Sequence, residues 1–103
     1  MAQSERALTK EQVARSLAAH AEELRSLGVQ SLELFGSIAR GDARPDSDVD
    51  LLVKFTEVPG FFGYVRLRNR LEEILGRRVD LVMPSGLHPR LRERVLREAR
   101  HVA

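Results

Sequence analysis

Two aspartates, Asp48 and Asp50, stand two positions apart in S-D-V-D-L-L-V, residues 47–53. On an extended strand, alternate side chains share a face. Both carboxylates then project together, while Val49, Leu51 and Val53 turn toward the core. Carboxylates side by side repel, and each raises the pKa of the other. A hard divalent cation such as Mg²⁺ or Mn²⁺ relieves that repulsion. A D-x-D on its own also fits a plain solvated strand face, because so short a motif is unspecific. Aspartate is nevertheless a poor strand former, so two in one strand are costly without a use.

Two further features could serve the same chemistry. Gly36-Ser37 falls where an apolar strand gives way to a helical-looking I-A-R-G. Glycine lets a backbone approach a ligand closely, and the first N–H groups of a helix attract phosphate. Ser37 could donate a hydroxyl to that anion or serve as an ordinary N-cap. Arg40, one turn later, could reach the same anion or sit in solvent. Asp80 interrupts the apolar run R-V-D-L-V, residues 78–82. A lone buried carboxylate is expensive, so Asp80 lies either beside Asp48 and Asp50 or on an edge strand paired with Arg77 or Arg78.

The elements that position these residues follow from periodicity. Thr9 and Gln12 read as a capping box with Glu11 in the first turn. Val13, Leu17, Ala21, Leu24 and Leu27 then recur at helical spacing, which predicts one helix over 9–27 stopped by Gly28. Residues 1–8 read as a loose start. Strands are predicted over 29–35, 48–55 and 78–83. The segment 41–47 carries Gly, Asp, Pro and Ser turn signals, and 56–60 is a loop. A long helix from Phe61 to Leu75 buries Phe62, Val65, Leu67, Leu71, Ile74 and Leu75. A last helix over 87–102 buries Leu91, Val95, Leu96 and Ala99. This alternation predicts an α/β (α+β) sandwich, with helices flanking a small mixed sheet of about three strands.

The chain has 103 residues, 43% hydrophobic and 31% charged, which is one globular domain over 1–103. It has no cysteine, so disulfides, thiolate nucleophiles and cysteine zinc sites are excluded. His20, His88 and His101 form no zinc pattern. No apolar run approaches a membrane span and no secretory signal is apparent, so a cytoplasmic protein is expected. Of 17 basic residues all but Lys10 and Lys54 are Arg, against 15 acids. Such a surface could grip an anionic partner or be paired internally. Without interleaved aromatic residues, nucleic acid is not indicated.

Together the pieces resemble the minimal nucleotidyltransferase family, a branch of the DNA polymerase β-like nucleotidyltransferases. The family pattern G-S-x-A-R-G, a turn, S-D-x-D-L-x-V and a later V-D-L-V is matched by Gly36, Ser37, Arg40, Gly41, Ser47, Asp48, Asp50, Leu51, Val53 and Asp80. Ile38 stands where an Arg is often found. The resemblance implies a polymerase β-like fold and a magnesium-dependent transferase. Asp48, Asp50 and Asp80 would be the catalytic metal ligands for two Mg²⁺, with Mn²⁺ an alternative, and Asp80 a possible base. Gly36, Ser37, Arg40 and Ser47 would bind the nucleotide. It further implies an antitoxin paired with a HEPN-domain toxin, to which some members are thought to transfer AMP from ATP. Two alternatives stand beside this: a nucleotide-binding antitoxin that acts by docking alone, and a nucleotidyltransferase for a small molecule. The absence of a second substrate domain disfavours the last. P-loop, EF-hand and haloacid-dehalogenase-like phosphatase patterns are absent.

Overall fold

The computed structural model describes residues 7–103. Helix α1, Lys10–Ala18, opens on the expected capping box: Thr9 Oγ1 accepts from the Gln12 amide and Gln12 Oε1 accepts from the Thr9 amide. Leu8 packs against the core, so the loose start expected over 1–8 is tied down at its end, and residues 1–6 lie outside the described residues. The single helix expected over 9–27 is two. His20 leaves helical geometry (φ −120°, ψ 23°), and α2, Ala21–Ser26, follows. The break keeps Val13, Leu17 and Leu24 in one core, while Glu23 of α2 forms a two-pronged ion pair with Arg70.

Strand β1, Val29–Phe35, runs into the short helix α3, Gly36–Arg40. Strand β2, Val49–Phe55, returns antiparallel to it. Helix α4, Phe61–Leu75, ends at Gly76 (φ 66°), a left-handed cap, and carries the chain over to β3, Val79–Val82, parallel to β2. A 3₁₀ turn at Pro84–Gly86 leads to α5, Pro89–Glu98. The chain then adds β4, Arg100–His101, antiparallel to β1, giving the sheet order β3-β2-β1-β4. The last helix is therefore shorter than expected and a fourth strand replaces its end. Two residues are too short a strand to show a period.

The strand register fixes two sheet faces. Leu32 and Leu34 of β1, Val49, Leu51 and Val53 of β2, and Val79 and Leu81 of β3 form the core face, against Val13, Leu17, Leu24, Leu67, Leu71 and Leu75 of the helices. Two helical expectations need correcting. Phe62 is 80% exposed, and Tyr64 packs against the core instead. In α5 only Val95 is buried, with Leu91 and Leu96 on the outside. Apolar spacing marks a helix face but not how far its ends overhang the sheet. Among the described residues no helix is long and apolar enough to cross a membrane.

Candidate active site

The opposite sheet face carries the acids. Asp50 of β2 and Asp80 of β3 are direct partners in the parallel ladder, so they share a face at neighbouring positions. Asp48 comes out differently from its expected place within a strand. It sits one residue before β2 and is exposed, because the parallel ladder starts only at Val49, whose amide donates to Arg78 O at 2.8 Å.

Asp50 is the more enclosed carboxylate. β2 is an interior strand, and on the same face the next side chain, Leu52, is fully buried. The solvated face weighed as an alternative is thus solvated only at its end. Burial first, then the charges of Asp80 and Asp48, push the Asp50 carboxyl up from its ordinary 3.8 to about 6, while the Arg40 charge pulls the other way. Each cause is the kind that a bound cation would offset.

Gly36 is shaped around this carboxylate. Its φ is +78°, a left-handed conformation that L side chains rarely adopt, and a Cβ there would overlap Asp50 Oδ2 and stand 3.1 Å from Cγ. The backbone at the end of β1 therefore lies directly against the acid on β2, and glycine is required for both reasons. Ser37 is not a side-chain N-cap: α3 begins after Phe35 with no capping side chain. Its carbonyl instead accepts the amides of Gly41 and Asp42 at 3.0 Å each.

Arg40 Nε donates to Asp42 Oδ2 and Nη1 to Glu98 Oε2, both at 3.3 Å. The Ser47 hydroxyl accepts from the Arg44 amide at 2.8 Å and so braces the turn that delivers Asp48. Asp42 and Glu98 were missed as partners of Arg40. The spacing R-G-D hints at the first, but nothing local in sequence announces the second, 58 positions away. Of the two arginines weighed as partners of Asp80, Arg77 Nη1 donates to Gly76 O at 3.2 Å, and the Arg78 carbonyl accepts from the Val49 amide. Tyr64 lies within range of the Asp80 charge; burial and then Asp80 raise its hydroxyl above its usual value.

Among the described residues no three Asp, Glu or His side chains close into a ready-made metal cage. The donor chemistry still fits a divalent cation. The groups are hard oxygens of one sign, and two of them, Asp48 and Asp80, are exposed with freedom to reorient.

A small mixed sheet flanked by helices, with carboxylates on adjacent strands facing a glycine turn, defines a nucleotidyltransferase fold. Residues 17–102 match the nucleotidyltransferase domain family, and the chain belongs to it. It is 47% identical over 96 residues to the protein adenylyltransferase MntA of Thermococcus cleftensis, covering 92% of this chain and 97% of that one. A solved structure assigned provisionally to a minimal nucleotidyltransferase superposes with a TM-score of 0.76 at 45% identity, covering 90% of this chain and 95% of that one. The fold is also that of an MNT antitoxin in complex with a tri-AMPylated HEPN toxin of Shewanella oneidensis (TM-score 0.63, 20% identity, 88% and 71% covered).

Proposed function

We propose that this chain transfers AMP from ATP to a hydroxyl group of a HEPN-domain protein partner, releasing pyrophosphate. The observation that carries this is the placing of Asp50, beside Asp80 on one side and against the side-chain-free Gly36 on the other. The relation to an archaeal protein adenylyltransferase over nearly the whole chain supports a protein acceptor over a small molecule.

In this reading Asp48, Asp50 and Asp80 hold Mg²⁺, with Mn²⁺ as a substitute. When bound, the metal supplies charge to the attacking and leaving oxygens. Gly36 and Ser37 admit the phosphates to the backbone at the end of β1. Arg40 offsets triphosphate charge, and Ser47 holds the turn that presents Asp48. The acceptor oxygen forms a bond to the α-phosphorus as the bond to the β-phosphate bridge breaks. Asp80, exposed on the outer strand β3, accepts the hydroxyl proton. The protein thus contributes mainly position and charge.

The test is incubation of this protein with Mg²⁺, a HEPN-domain protein from the same organism, and ATP labelled at either the α- or the γ-phosphate. Label on the partner from α-labelled ATP alone is expected. Transfer from γ-labelled ATP would mean a kinase, and no transfer from either would favour docking without catalysis.

A further inference from the structure

Arg40 carries five guanidinium N–H donors. Asp42 takes the one on Nε and Glu98 takes one on Nη1, which leaves the Nη2 pair and one more uncommitted to these carboxylates. The two acids differ in standing. The Asp42 side chain is 63% exposed in the loop after α3, whereas that of Glu98 is 22% exposed. The other oxygen of Glu98 accepts from Arg94 Nε at 3.3 Å, so the carboxylate is fixed from both sides.

The backbone under Glu98 is also anchored. Glu98 is the last residue of α5, three residues after the buried Val95. The chain continues into β4, which pairs with Glu33 and Leu34 of β1. The Val102 amide then donates to Leu32 O at 3.0 Å, and its side chain is buried. β1 is the strand that runs into Gly36. The C-terminal unit α5–β4 contributes nothing to the carboxylate cluster, yet it is built onto the same strand as the Gly36-Ser37 turn and reaches Arg40 through one side chain.

We propose that Glu98 is a positioning residue for nucleotide binding: it holds the guanidinium of Arg40, the last residue of the short helix that opens at Gly36, with donors free for the triphosphate. This rests on the reading that Arg40 contacts the nucleotide. A long Arg side chain fixed before binding has less rotamer freedom left to lose on binding.

Calorimetric titration with ATP and Mg²⁺ tests this on wild type, Arg40→Ala, Glu98→Gln, Glu98→Asp and the double variant Arg40→Ala/Glu98→Gln. Glu98→Gln is expected to weaken ATP binding roughly 3–10-fold, and Glu98→Asp, which keeps the charge, to recover part of it. In the Arg40→Ala background Glu98→Gln should cost nothing further, because its effect runs through Arg40. An additive loss in the double variant would make Glu98 a merely structural residue and overturn the proposal. So would unchanged or tighter ATP binding by Glu98→Gln while Arg40→Ala weakens it. If Arg40→Ala itself binds as wild type does, or wild type binds no ATP, the nucleotide reading of Arg40 falls first and this proposal with it.

Discussion

Asp50 concentrates the conflict between folding and function. Burial and then the charges of Asp80 and Asp48 push its carboxyl up from 3.8 to about 6. A carboxyl whose pKa rises on folding adds stability while protonated, fully so below about 4, and that contribution is lost as pH rises through about 6. The metal-free protein should therefore carry an avoidable penalty at pH 7.5, about 1–2 kcal/mol once solvent screening is allowed for. Asp50→Asn is expected to raise the melting temperature at pH 7.5 without metal and to flatten the profile between pH 5 and 7.5. A lower melt would make Asp50 a structural residue. Gly36→Ala acts in the other direction, adding left-handed strain and an overlap with Asp50. A loss of about 1–3 kcal/mol is expected in a urea titration. A variant as stable as wild type would show that Gly36 and Asp50 do not press together. The pairing of Asp50 with Asp80 was one of two placements that the residues left open for Asp80, and only the family motif pointed to it. The enclosure of Asp50 was not readable, because it depends on β2 being an interior strand with Leu52 covered, which is a property of the assembled sheet.

At the scale of elements, the legible parts were those with a long period or a local chemical signature. The Thr9–Gln12 capping box, the Leu67, Leu71 and Leu75 stripe of α4, and its Gly76 stop all follow from neighbours within a turn or two. The illegible parts were set by distant contacts. The bend at His20 goes with the Glu23–Arg70 pair between α2 and α4, 47 positions apart. β4 is only Arg100–His101, and it is extended because Glu33 and Leu34 offer it a strand edge. Val102, just beyond, tests whether this terminal addition is held. Val102→Ala removes two buried methyl groups and should cost about 1–2 kcal/mol. A change within a few tenths in a denaturant titration would mean that the segment after α5 is not docked on β1.

Over the whole molecule, the carboxylates of β2 and β3 and the turn before β2 form one electrostatic unit, and proton and metal should compete for it. Below about 6 Asp50 holds a proton that must leave before a cation can bind. Mg²⁺ affinity, followed by the metal-induced rise in melting temperature, is expected to be about tenfold weaker at pH 5 than at pH 7.5. Equal affinity at both would remove Asp50 from the metal site. The family was legible because its motif lies in one continuous stretch plus Asp80. The arrangement around Arg40 was not, because it joins α3 to the far end of α5. The most direct test is the intact mass of the HEPN partner after incubation with ATP and Mg²⁺ and wild type, Asp50→Asn or Asp80→Asn. The partner should gain the mass of one or more adenylyl groups with wild type. It should gain none with either variant over the same time, since a loss of roughly 3 kcal/mol of metal stabilisation already slows transfer about a hundredfold. Full adenylylation by a correctly folded Asp50→Asn variant would contradict the assignment of these carboxylates as the transfer centre.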